Sequence, residues 1–142
     1  MMKRNGSAEW IGSLKEGKGS VSTSSGILNK TPYSFKTRFE EEQGTNPEEL
    51  IAAAHASCFS MAFAGQLEKE GLKADRIKTT ATVSLEKTDE GFSIPAIHLQ
   101  VMAKVPNANQ DNFNKAANNA KEGCPVSKLL KAKITMEATL EK

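Results

Sequence analysis

Only two cysteines, Cys58 and Cys124, occur in the 142 residues, and they form no Cys-x-x-Cys pair, which excludes a thioredoxin-type motif. Aromatics are scarce at 6%, and the 19 basic and 17 acidic residues are scattered in mixed sign to a net charge of +2. The chain therefore offers neither base-stacking platforms nor an electrostatic footprint for nucleic acid. No apolar signal core follows the basic start Met1-Met2-Lys3-Arg4, so the expected location is the cytoplasm. The longest apolar stretch begins with Glu48 and Glu49 and is interrupted by His55, Ser57 and Ser60, and it reads as a poor membrane span. There is no internal repeat, low-complexity segment or glycine-rich phosphate loop. The length fits one domain over residues 1–142. In a reducing cytosol a Cys58–Cys124 bond would be transient rather than structural.

What is present points to α+β architecture with antiparallel sheet packed around a buried central helix. Residues 8–14 and 19–23 read as short strands around a Lys15-Glu16-Gly17 turn. Residues 33–39 alternate Tyr33, Phe35 and Phe39 against Ser34, Lys36 and Arg38, which predicts a strand with Arg38 on its polar face. A helix begins near Asn46 as N-cap with Pro47 at the first position and Glu49 completing a capping box, and it ends near Gly71. Ile77, Thr79, Ala81, Val83 and Leu85 alternate outward, Asp89-Glu90-Gly91 turns the chain, and Ile97 to Val105 alternate back. A polar helix over residues 110–121, a short turn after Pro125 and a last strand through Ile134, Met136, Ala138 and Leu140 complete the order. The central helix is apolar around its circumference, yet one antiparallel sheet can cover one side only. A homodimer that packs the helix against its symmetry mate would cover the rest.

Cys58 sits mid-helix and Cys124 lies at the N-cap position before Pro125. A lone buried cysteine is more often a small core hydrophobe than a nucleophile; reactivity requires a lowered pKa. His55 shares a helix face with Cys58 and would permit a Cys–His acyl-transfer pair, although no third group orients it. A zinc site from Cys58, Cys124, His55 and His98 lacks the usual close ligand pairing.

Four segments taken together resemble the OsmC/Ohr family, the osmotically inducible protein C and organic hydroperoxide resistance proteins. They are Tyr33-Ser34-Phe35-Lys36-Thr37-Arg38-Phe39-Glu40, Thr45-Asn46-Pro47-Glu48-Glu49-Leu50, Ala53-Ala54-His55-Ala56-Ser57-Cys58-Phe59-Ser60-Met61-Ala62 and Cys124-Pro125-Val126-Ser127-Lys128. The His55-Ala56-Ser57-Cys58 form looks like the OsmC branch, and the likeness extends over essentially the whole chain.

The resemblance implies an intertwined homodimer acting as a thiol peroxidase on organic hydroperoxides, without metal or organic cofactor and without nucleic-acid or membrane partner. By position Cys58 corresponds to the peroxidatic cysteine, Cys124 to the resolving one, and Arg38 and Glu48 to the pair that poises the thiolate. The reductant would be an external dithiol, possibly a lipoylated protein. Phe39, Phe59, Met61 and Phe63 would form an apolar substrate pocket. Glu48 and Cys58 are ten residues apart, a rise of about 15 Å on one helix. Glu48, with Arg38, is therefore expected to serve Cys58 of the partner subunit. The alternative is a redox-sensing or small-molecule-binding dimer that reacts without turnover.

Overall fold

The computed structural model describes residues 1–142, and contacts within it divide into two compact units, Met1–Leu50 and Ile51–Lys142. The dividing point falls inside one unbroken helix, α2 (Pro47–Lys69).

Met1–Leu50 holds an antiparallel sheet of β1 (Gly6–Ile11), β2 (Lys18–Thr23) and β3 (Thr31–Tyr33) in that order, then α1 (Phe35–Phe39). Across β2, Trp10 of β1 packs obliquely on Tyr33 of β3 with centroids 5.5 Å apart. Gly19 makes room for this pair, since a Cβ there would lie 2.4 Å from the Tyr33 ring. The strand expected over residues 33–39 is instead a strand end followed by a helical turn. Ser34 caps it: its hydroxyl accepts from the Thr37 amide at 3.1 Å, and the Thr37 hydroxyl accepts from the Ser34 amide at 2.8 Å. Phe35 and Phe39, which fit alternation, are also four apart and meet at 4.7 Å on one helix face. Reciprocal capping at Ser34 decides between the two periods. Arg38 thus belongs to a helix, not a strand.

Ile51–Lys142 holds the rest of α2, a sheet ordered β4 (Arg76–Thr88), β5 (Gly91–Lys104) and β6 (Lys133–Glu141), and two helices, α3 (Gln110–Gly123) and α4 (Pro125–Leu129). β4 and β5 form the expected antiparallel hairpin, with a bulge between Ser84 and Glu86. β6, however, runs parallel to β5, so the sheet is mixed rather than purely antiparallel. The reason is the crossover: α3 and α4 carry the chain back to the end where β5 began, the connection that parallel neighbours require.

The core of this unit combines Ile97, Leu99, Val101 and Ala103 of β5, Phe59, Phe63 and Leu67 of α2, and Phe113, Ala116, Ala117 and Ala120 of α3. On α2 only His55, Phe59, Phe63 and Leu67 are buried. Their spacing of four makes one stripe, so the helix is not enclosed on all sides within the chain. Met61, at 79% exposure, lies outside that stripe. By length and composition α2 could cross a membrane, but here its stripe builds the core of this unit. The helix stops at Gly71 (φ +74°), where Leu72 N–H bonds Leu67 O at 2.9 Å and Gly71 N–H bonds Glu68 O at 3.0 Å. This is a Schellman closure that a side chain in the left-handed region would strain.

Candidate active site

Arg38 and Glu48 come together inside Met1–Leu50. Asn46 opens α2 by accepting the Glu49 amide at 2.8 Å, and its side-chain amide donates to Thr37 O at 3.1 Å. The Glu49 carboxylate takes the Thr45 hydroxyl at 2.6 Å. These bonds join α1 to the first turn of α2 and aim Glu48 at Arg38. Arg38 donates to Glu48 Oε1 from Nε at 2.8 Å and from Nη2 at 2.6 Å. Both bonds end on one oxygen; Glu48 Oε2 is buried without a hydrogen-bond partner, and Nη1 takes no part. The carboxylate therefore fixes the guanidinium plane while leaving one face of the fork uncommitted.

Beside this pair lies an open groove of about 280 Å³ lined by Trp10, Leu14, Tyr33, Phe35, Arg38 and Phe39, among others. Arg38 sits 5.3 Å from the centre of the Phe39 ring. Of the four apolar residues expected to form a pocket, only Phe39 lines this groove. Phe59 and Phe63 are wholly buried in the other unit's core and Met61 is exposed. Trp10, Tyr33 and Phe35 were not anticipated, because strand alternation says nothing of which aromatics converge around a later helix.

The two cysteines come together inside Ile51–Lys142. α3 ends at Cys124, whose N–H still bonds Ala120 O at 2.9 Å, and Pro125 opens α4 directly after it. Cys124 is fully buried, Cys58 is partly exposed, both are free thiols, and their sulfurs are 2.9 Å apart. Burial pushes the Cys58 thiol up from its ordinary value, the Cys124 hydrogen bond adds to this, and the Val126 amide works against it. For Cys124 burial acts upward too, but donors outweigh it and the net shift is downward. Those donors are the Cys58 thiol, the Ser127 amide and hydroxyl and the Val126 amide. None of the α4 donors closes a formal cap hydrogen bond on the neutral thiol; they face the sulfur and favour its charged form. The pair thus shares its first proton loss, and in this arrangement the charge rests towards Cys124.

The sequence offers His55 as a partner for Cys58. It is fully buried, and Nε2 bonds Ser127 Oγ at 2.7 Å. The Cys–His pair of an acyl-transfer enzyme is therefore not what this ring builds. Ser127 is the functional candidate that pattern reading passed over. The signal was available: His55 and Cys58 are three apart, and so are Cys124 and Ser127. No cluster of three or more His, Cys, Asp or Glu side chains suited to a metal ion is present.

The profile of the OsmC-like protein family matches residues 40–139. The chain belongs to the OsmC-like family. It is 52% identical over 138 residues to Peroxiredoxin OsmC of Escherichia coli strain K12, covering 97% of this chain and 96% of that one. It is 27% identical over 124 residues to the organic hydroperoxide resistance protein OhrB of Bacillus subtilis, covering 87% and 89% of the two chains. An OsmC-like protein of unknown function from Vibrio cholerae has the same fold, with a TM-score of 0.77 at 17% identity over 98% of this chain and 100% of that one. The α+β fold and the family resemblance read from the sequence both hold.

Proposed function

We propose that the protein is a thiol-dependent peroxidase that reduces organic hydroperoxides, and hydrogen peroxide less efficiently, in oxidative or osmotic stress defence. It acts as a single OsmC-like domain of residues 1–142, paired as a homodimer in the cytoplasm. The observation that carries this reading is the pair of free sulfurs 2.9 Å apart, one partly exposed and one fully buried. Cys58 attacks the distal peroxide oxygen as a thiolate, the O–O bond breaks, and the alkoxide leaves and takes a proton as the alcohol. Cys58 becomes a sulfenic acid, and Cys124 condenses with it to release water and close the disulfide. An external dithiol, such as a lipoylated protein, then returns both thiols.

The shift of charge towards Cys124 gives Arg38 its task. No cation is among the causes that set either thiol, so a guanidinium brought to Cys58 would draw the charge there and stabilise the parting oxygens. Glu48 holds that guanidinium. Arg38 and Glu48 serve Cys58 of the partner subunit, because Glu48 opens α2 and Cys58 lies mid-helix, about 15 Å further along. The uncovered face of α2 around Met61 supports the pairing of two copies. The aromatic groove beside Arg38 suits a bulky organic group better than hydrogen peroxide.

The test is consumption of cumene hydroperoxide and of hydrogen peroxide with excess dithiothreitol or dihydrolipoamide. Sustained turnover favouring the organic peroxide supports the enzyme. One equivalent consumed without turnover would leave a redox-sensing dimer instead.

A further inference from the structure

We propose that Ser127 is a catalytic residue of disulfide closure and reopening, donating its hydroxyl proton to the Cys124 sulfur whenever that sulfur is charged, and that His55 positions it. The inference deepens the peroxidase reading and rests on it for the closure step.

Two contacts lie side by side between α2 and the start of α4. His55 Nε2 meets Ser127 Oγ at 2.7 Å, and Cys58 Sγ meets Cys124 Sγ at 2.9 Å. His55 is fully buried and its Nδ1 has no hydrogen-bond partner. Among backbone groups a buried orphan N–H is rarer than a buried under-satisfied acceptor. By the same rule the proposal leaves the lone pair on Nδ1 and has Nε2–H donate to Ser127. With its oxygen accepting from His55, the Ser127 hydroxyl has one proton to give. Cys124 and Ser127 occupy the N-cap and third positions of α4, the two positions that a capping box couples. The groups facing the Cys124 sulfur are Cys58 from α2 and Val126 and Ser127 from α4. None of these groups is a cation, and burial disfavours the charged form of His55 behind them.

The Cys124 sulfur is negative at two points in the cycle. In closure its thiolate attacks the sulfenic sulfur of Cys58, the S–S bond forms, the S–O bond breaks, and the departing hydroxide takes up the proton that Cys124 lost. In reopening an external dithiol reaches the more exposed Cys58 sulfur, the S–S bond breaks, and the electron pair leaves on Cys124. A stabilised leaving thiolate departs faster.

The test isolates reopening from peroxide chemistry. Protein oxidised with diamide is mixed with dithiothreitol, and release of Cys124 is followed by quench, alkylation and mass. Ser127→Ala should slow release about tenfold, the scale of one hydrogen bond to a charged group. Ser127→Thr, which keeps the hydroxyl, should stay within about twofold of wild type on the same reasoning. His55→Phe, which removes the donor at similar bulk, should fall between them. Release at the wild-type rate in Ser127→Ala, or equal slowing in Ser127→Ala and Ser127→Thr, overturns the role of Ser127. Wild-type release in His55→Phe overturns the positioning role. Because diamide replaces the hydroperoxide, failure of wild-type protein to consume cumene hydroperoxide would defeat the peroxidase reading alone and leave this result readable.

Discussion

Residues 51–142 carry every buried hydrophobic side chain of the core, from Phe59 to Cys124, whereas within residues 1–50 only Gly17, Thr37 and Thr45 are buried. The first region supports itself and places the two thiols on helices anchored in that core. The second is held by hydrogen-bonded caps around Ser34 and Asn46 and presents the Arg38–Glu48 pair. A reactive sulfur pair needs fixed geometry, which packing supplies. A unit with no apolar core of its own leaves its aromatics partly open, and under the proposed pairing a second copy of the chain would cover them. The contrast teaches that this fold separates the two halves of the proposed chemistry: the sulfur pair sits in the unit that carries the apolar core, and the Arg38–Glu48 pair in the unit held by polar caps.

The contrast can be broken at its chemical extremes first. Cys58→Ser should abolish peroxide turnover in the dithiol assay. Arg38→Ala should lower turnover by roughly 10²- to 10³-fold, the scale of removing one donor to a developing oxyanion, while diamide still closes the Cys58–Cys124 disulfide. Stability should divide along the same line. Phe63→Ala should cost about 3–5 kcal/mol in denaturant unfolding. Ile27→Ala, at an 86% exposed position of the N-terminal unit, should stay within about 0.5 kcal/mol.

The smallest effect concerns pH. Burial lowers the His55 pKa, so below its ordinary value of about 6.5 the unfolded chain takes up a proton that the folded one refuses. That share of stability is present above about pH 6.5 and is lost as pH falls towards the folded value. The Tm of His55→Gln should therefore decline less between about pH 7 and pH 5 than that of wild type.

The same division governs what could be read from the sequence. In residues 51–142 the hairpin, the Gly71 stop and Cys124 ahead of Pro125 were all legible, because alternation, a left-handed glycine and proline are local signals. The parallel placement of β6 was not, since crossover direction depends on how α3 and α4 pack. In residues 1–50 the aromatics of 33–39 satisfied two periods at once, and only the Ser34–Thr37 side-chain exchange separates them. The sequence resemblance singled out Cys58, Cys124, Arg38 and Glu48. It did not disclose that both Arg38 bonds end on one Glu48 oxygen, nor that His55 turns to Ser127. Both depend on side-chain direction, which spacing does not determine.

The most direct test mixes two inactive variants, Cys58→Ser and Arg38→Ala, and lets their subunits exchange. If Arg38 serves the partner's Cys58, each mixed dimer regains one intact site, and an equal mixture should recover about a quarter of wild-type turnover by random pairing. Turnover no higher than that of the separate variants, with mixed dimers demonstrated by native mass, would contradict a site shared between subunits.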